Sequence, residues 1–194
     1  MKRIVTDKQV VVVGLGKTGL SCVRYLSQFA YNITVMDSRL TPPNLSDLTN
    51  DYPNVSTVLG RFDQEILSSV DEIILSPGVA LANKEIQAAI AAGVRVRGDI
   101  DLFADAAKAP IVAITGSNGK STVTTLLGDM AVNSGLNVGV GGNLGTPALD
   151  LLSPEKQLYI LELSSFQLET TESLNAECAV LLNCLLYTSP SPRD

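Results

Sequence analysis

Ile111-Val-Ala-Ile-Thr-Gly-Ser-Asn-Gly-Lys-Ser-Thr122 is a β-branched apolar run that breaks into glycines, a lysine and hydroxyls before an amphipathic stretch begins. A strand that runs into a glycine turn and then a helix is the building unit of an open α/β fold. Gly116 and Gly119 let the backbone curl until its N–H groups converge. The helix that follows points its positive end at the same place, and Lys120 adds a full charge. Ser121 then stands where a hydroxyl can reach Mg²⁺. The spacing departs from GxxxxGK[ST], because Ile114 holds the position of that pattern's first glycine. The stretch reads as a phosphate loop made by Gly116, Ser117, Asn118, Gly119, Lys120, Ser121 and Thr122. The competing reading is a plain turn between strand and helix.

Short apolar runs at 10–13, 33–36, 72–75 and 94–96 precede the loop, separated by helical spacings such as Leu20, Val23, Leu26 and Ile86, Ala89, Ile90. A second series begins at Ile111 and continues through 138–140, 158–161 and 179–182. This alternation predicts an α/β chain with parallel sheets covered on both faces. A Rossmann-like unit is expected over 1–98 and a phosphate-loop unit over 99–183, with 98–110 as the connection. Four strands in the second unit are fewer than the usual sheet of about five to six, so that unit reads as incomplete. Residues 184–194, which end Ser-Pro-Ser-Pro-Arg-Asp, carry neither period and read as a tail outside the fold.

The 194 residues are 45% hydrophobic, enough to bury a core, and 14 basic against 20 acidic side chains give a net charge of −6. That balance argues against a nucleic-acid partner, so any polyanion must be gripped locally. Cys22, Cys178 and Cys184 lack paired spacing and read as reduced, buried thiols. No apolar run is long enough for a signal peptide or a membrane span, so no membrane partner and a cytoplasmic location are expected. Histidine is absent, so a metal would be held by oxygen.

Gly14-Leu-Gly-Lys-Thr-Gly19 fits GxGxxG directly after one strand, and Asp37 closes the next, where dinucleotide folds place a ribose-binding acid. NAD is the obvious ligand for this pattern. The residues themselves support only an anionic group over the helix that starts near Thr18, with Asp37 accepting hydrogen bonds from a sugar or base and Arg39 offering a fork to phosphate. Ser76-Pro77-Gly78 ends a strand where open sheets put ligand loops. Glu162 ends another, beside the phosphate loop, where a hard cation bridging phosphates needs an oxygen ligand; Ser121 and Glu162 are therefore the expected Mg²⁺ ligands. Gly141-Gly-Asn-Leu-Gly145 is a further glycine loop after a strand.

Taken together, these segments, with Met36-Asp-Ser-Arg39, Gly98-Asp-Ile-Asp-Leu-Phe103, Pro147-Ala-Leu149 and Glu162-Leu-Ser-Ser-Phe-Gln-Leu-Glu169, resemble the Mur ligases of peptidoglycan synthesis over essentially everything up to Asn183. Within that family the likeness is to the D-glutamate-adding branch. The resemblance implies that the first unit binds UDP and not NAD, through Lys17, Thr18, Asp37, Ser38 and Arg39, with Ser76 and Gly78 nearby. Asn143, Ser164 and Gln167 would reach the same substrate from the second unit, and Lys120 would be the catalytic lysine on the ATP phosphates. It implies ATP and Mg²⁺ as cofactors and UDP-N-acetylmuramoyl-L-alanine and D-glutamate as substrates. The reaction would be ATP-dependent amide formation through an acyl phosphate, by an enzyme that is a monomer when complete. Family members continue past the position of Asn183 into a histidine metal ligand, a modified lysine and a third domain. A chain without them is expected to bind without turning over. Two other classes compete: a non-catalytic UDP-sugar-binding module, and an NAD-dependent oxidoreductase suggested by GxGxxG and Asp37.

Overall fold

The computed structural model describes residues 8–183, and residues 184–194, expected as a tail, lie outside them. Gln9–Val13 (β1), Asn32–Asp37 (β2), Ser56–Leu59 (β3), Glu72–Leu75 (β4) and Arg95–Arg97 (β5) form one all-parallel sheet in the order β3-β2-β1-β4-β5. Helices Lys17–Leu26 (α1), Leu45–Asp51 (α2), Gln64–Leu67 (α3) and Lys84–Ala91 (α4) make the crossovers. The chain moves outward from β1 on one side, then returns to build β4 and β5 on the other. That reversal opens a crevice at the carboxyl ends of β1 and β4.

Strand β3 was not expected. Its Ser-Thr-Val-Leu has few apolar residues because it is an edge strand with no side chain fully buried. Residues 98–110 are also more than a connection, since Asp99–Ala106 (α5) is a helix that buries Ile100, Leu102 and Phe103. Its first turn fastens the two halves together. Asp101 Oδ1 accepts from the Glu172 and Ser173 N–H groups and from Ser173 Oγ, each at 2.9 Å. The Gly98 N–H donates to Thr170 O, and a Cβ on Gly98 would meet Thr170 Oγ1 at 2.4 Å.

Ile111–Thr115 (β6), Val138–Gly142 (β7), Leu158–Glu162 (β8) and Cys178–Leu181 (β9) form a second parallel sheet, ordered β7-β8-β6-β9, with Lys120–Asn133 (α6) and Ser165–Glu169 (α7). One apolar core runs through both units: Val10, Val12 and Leu26 join Phe103, Ala148, Tyr159 and Leu161, with the Phe103 and Tyr159 rings edge to face at 4.9 Å. Of the cysteines expected to be buried, Cys22 is buried and Cys178 is exposed on the edge strand β9; both are free. Cys184 lies outside the described residues. No described helix is long and apolar enough to cross a membrane.

Candidate functional site

The first glycine loop follows β1, and each of its glycines meets a different demand. Gly14 turns at φ +93 and donates its N–H to Met36 O, while Ser76 Oγ donates to Gly14 O at 2.8 Å. Gly16 caps α1, and a Cβ there would meet nothing within 4 Å. A Cβ on Gly19 would sit 1.9 Å from Gly14 O, so only hydrogen lets α1 pack onto the loop. The backbone at Gly16 is thus the part left open to a ligand over the helix start.

Asp37 lies beneath this loop, 2% exposed. Its Oδ2 accepts from the Leu15 N–H at 2.7 Å and from Arg39 Nη2 at 2.7 Å; its Oδ1 accepts from the Arg39 N–H at 2.9 Å and Arg39 Nε at 2.8 Å. Burial works to raise this carboxyl, but the Arg39 side chain and the two backbone N–H groups outweigh it and hold it at about 2. The Arg39 fork, expected to face phosphate, is therefore spent on Asp37. The carboxylate in turn fixes the loop.

A cleft of about 420 Å³ opens above these groups. Lys17, Thr18, Asp37, Ser38, Arg39, Ser76 and Gly78 line it from the first sheet, and Asn143 and Gln167 line it from the second. Of the residues expected to contact the nucleotide sugar, Ser164 is the exception. It is not among the lining residues and serves as the cap of α7, where its Oγ and N–H both donate to Gln167 Oε1 and its Oγ accepts the Gln167 N–H.

At the second site, Gly116 (φ +141) and Gly119 (φ +81) turn the loop into α6. The N–H groups of Ser117 and Asn118 converge on one oxygen, Asn183 Oδ1, at 3.0 and 2.9 Å. Two amides aimed at a single point are the geometry of an anion nest, here filled by the amide oxygen of Asn183. Lys120 Nζ donates to Gly116 O at 2.7 Å, at the rim of this nest.

Glu162 ends β8 and is 2% exposed, not a solvated strand end. Ser121 Oγ donates to its Oε2 and Asn143 Nδ2 to its Oε1, both at 2.7 Å. A Cβ on Gly142 would meet Glu162 O at 2.5 Å, so the 141–145 loop lies directly on the carboxylate's own backbone. Among the described residues Glu162 has no salt-bridge partner, and no group of three or more carboxylate or cysteine side chains could cage a metal alone. A buried carboxylate with one adjacent hydroxyl suits Mg²⁺, which keeps water and shares its other ligands with phosphate oxygens.

Sequence reasoning missed two residues here. Asn183 is 66 and 65 positions away from the Ser117 and Asn118 amides it serves, and no motif spacing announces it. Asp99, which accepts from Gln167 Nε2 at 3.0 Å, read as part of a connecting segment; the acid's place at the start of a buried helix was the available signal.

Comparison with known proteins identifies the family. The model of the Mur ligase MurD-like N-terminal domain matches residues 8–98, and that of the Mur ligase middle domain matches 114–184. The chain belongs to the Mur ligase family. Over 183 residues, 94% of this Mur ligase chain, it is 60% identical to the UDP-N-acetylmuramoylalanine--D-glutamate ligase of Marinobacter nauticus and 57% identical to that of Pseudomonas savastanoi pv. phaseolicola. The chain spans 41% of the length of each of these relatives. Among solved structures, the UDP-N-acetylmuramate:L-alanyl-gamma-D-glutamyl-meso-diaminopimelate ligase from Neisseria meningitides matches with a TM-score of 0.57 at 16% identity, over 97% of this chain and 63% of that one. At that identity the likeness speaks to the fold.

Proposed function

We propose that this Mur ligase chain supplies the nucleotide-sugar cleft and the phosphate loop of a ligase that joins D-glutamate to UDP-N-acetylmuramoyl-L-alanine at the expense of ATP. One observation carries the reading: Asn143 lines the cleft above the GxGxxG loop, while its amide is bonded to Glu162, which also holds Ser121 beside Lys120. Two anion sites that share a side chain can bring the far end of one ligand to the phosphate of the other.

In this reading Lys17 and the α1 N-terminus hold the diphosphate, and Ser76 and Gly78 close the cleft. The UDP end is an anchor, so binding energy far from the reacting carboxyl positions that carboxyl. The Ser117 and Asn118 amides and Lys120 receive the triphosphate, and Lys120 offsets the repulsion when a carboxylate oxygen attacks the γ-phosphorus. ADP leaves and an acyl phosphate remains. The D-glutamate amine then attacks the acyl carbon, phosphate departs, and the amine loses a proton as the amide forms. Ser121 and Glu162 would hold Mg²⁺, which neutralises charge on the phosphate oxygens when bound. Holding both ligands on one core lowers the barrier by removing encounter entropy, an effect of about 7 to 11 kcal/mol in favourable cases.

Titration calorimetry tests the proposal. UDP-N-acetylmuramoyl-L-alanine and a non-hydrolysable ATP analogue with Mg²⁺ are each expected to bind at one site. Nucleotide-sugar binding without triphosphate binding would favour a plain UDP-sugar module. Saturable NADH binding that UDP does not compete would reinstate the oxidoreductase reading, against which stands the complete use of both Asp37 oxygens by Leu15 and Arg39.

A further inference from the structure

We infer that Asp99 is a positioning residue that sets the orientation of the Gln167 carboxamide in the nucleotide-sugar cleft. The inference rests on the reading of that cleft given above. Gln167 lines the cleft and is 2% exposed, so each of its polar atoms needs a defined partner. Its Oε1 accepts from the Ser164 N–H at 3.1 Å and from Ser164 Oγ at 3.2 Å, and its Nε2 donates to Asp99 Oδ2 at 3.0 Å. One N–H of the amide is left over for a ligand in the cleft.

The orientation is enforced from two sides. An ionised carboxylate only accepts hydrogen bonds, so Asp99 requires the NH₂ end to face it. The Ser164 N–H only donates, so the opposite end must be the oxygen. Turning the amide over would set Nε2 against the Ser164 N–H and Oε1 against a carboxylate. Asp99 is 1% exposed, and its Oδ1 has no hydrogen-bond partner. A carboxyl buried with one oxygen unmatched is not explained by capping α5 alone, since Gly98 holds the cap position without a side chain. Asp99 also belongs to the segment Gly98 to Asp101 that ties residues 170–173 to the first unit, so the positioning contact crosses between the two sheets.

Protonation loosens the arrangement, because a neutral carboxyl can donate to Oε1 and so removes one of the two constraints on the amide, leaving only that of the Ser164 N–H. Burial is the main cause that raises Asp99, to about 6, against the lowering effect of the Gln167 bond and the nearby backbone N–H groups. The ionisable groups around it are few. Cys22 on α1 is itself pushed well above the usual thiol range by burial and by Asp99 and Asp150. Asp101 and Asp105 share its helix, and Arg97 on β5 is engaged by Asp105, Asp101 and Glu72. From α7 the facing groups, Gln167 and Ser164, are neutral. The chain has no histidine.

The test is the affinity of the whole chain for UDP-N-acetylmuramoyl-L-alanine by calorimetry between pH 5 and 7.5, a range in which the ligand's diphosphate diester and carboxylate stay ionised. Wild type is expected to bind three- to tenfold more weakly at pH 5 than at pH 7.5. Asp99→Asn should be weaker than wild type at pH 7.5 and flat across the range. On a Gln167→Leu background, Asp99→Asn should change affinity less than twofold at any pH. A pH-independent wild type, or an Asp99→Asn effect that persists undiminished without Gln167, overturns the inference while leaving the cleft's ligand in place. If wild type fails to bind the nucleotide sugar at all, the reading of the cleft falls and the inference with it. Should Asp99→Asn fail to fold, the wild-type profile and that of Gln167→Leu, expected flat, still decide.

Discussion

Replacing Gly19 with alanine and, separately, Gly16 with alanine separates the two jobs of the first glycine loop. At Gly19 the new Cβ would sit 1.9 Å from Gly14 O and 3.0 Å from Ser76 Oγ. Reaching even 3.0 Å from that oxygen takes a retreat of about 1.1 Å by α1, whose Leu20, Cys22, Val23 and Leu26 are locked into the core. Overpacking of this kind costs about 1 to 3 kcal/mol. Breaking the Ser76 Oγ to Gly14 O hydrogen bond adds about 1 kcal/mol. The expected total of about 3 kcal/mol corresponds, for a chain of this length, to a Tm lowered by about 6 to 12 °C. At Gly16 the Cβ meets nothing within 4 Å and φ is −87, so Gly16→Ala should shift Tm by no more than about 2 °C. Its methyl nonetheless stands where the diphosphate approaches the helix start, so affinity for UDP-N-acetylmuramoyl-L-alanine should fall at least tenfold. Thermal melts followed by circular dichroism, with calorimetric titrations at 20 °C, read both quantities. A Gly19→Ala melt within 2 °C of wild type, or unchanged binding by Gly16→Ala, would refute the reasoning.

Lys120→Ala should reduce binding of the ATP analogue at least tenfold and leave affinity for the nucleotide sugar within twofold, since Lys120 does not line the cleft; equal losses on both ligands would count against the assignment. Glu162→Gln keeps the volume but sets an NH₂ against one of two donors, Ser121 Oγ or Asn143 Nδ2, at a cost of about 1 to 3 kcal/mol, and should remove the Mg²⁺ dependence of triphosphate binding. Acid titration of stability should show two opposite contributions. Asp37, held at about 2, contributes stability that is present above its unfolded value near 3.8 and is lost as pH falls toward 2. Asp99, raised to about 6, does the reverse: its burial is free below 3.8 and costs stability as pH rises through 6. The difference in Tm between Asp99→Asn and wild type should therefore shift in favour of the variant between pH 5 and 7.5, and a difference constant with pH would contradict the sign.

The parallel α/β architecture was legible because β1, β2, β4, β6 and β8 are covered on both faces and so spell nearly unbroken Val, Ile and Leu runs. Edge strands escape that signal: β3 needs no apolar face of its own and reads as a loop. The glycine motifs marked both loops, because a backbone turned to φ +93 or φ +81 excludes most side chains and so leaves its mark on the sequence. What could not be read was which polar group answers which. Arg39 looked like a phosphate ligand because a fork of donors suits any anion; Asp37 stands two residues before it in the sequence, but only the fold shows the two in bidentate contact. Ser164 looked like a contact residue, but a serine three positions before a glutamine is also a capping box, and the helix it starts took precedence. Asp99 and Asn183 act across 68 and 65 positions of sequence, a separation that propensity and periodicity do not span.

On the reading proposed above, a chain of net charge −6 takes two polyanions without a net positive field, so each has to be gripped locally. Its acids at the two sites have partners before any ligand arrives: Asp37 accepts four hydrogen bonds from Leu15 and Arg39, and Glu162 accepts one on each oxygen, from Ser121 and Asn143. Neither carboxylate faces the incoming phosphate bare. The groups left to meet it are Lys17 and Lys120, together with backbone amides and helix starts whose partial charges act over a few ångströms. Attraction is thus short-ranged, and recognition depends on contact geometry more than on long-range steering. The hydrogen bonds of Glu162 also link the sites to each other. Asn143 cannot leave Glu162 for a ligand in the cleft without freeing a buried carboxylate oxygen beside Ser121, so occupancy of one site changes the hydrogen bonding available at the other.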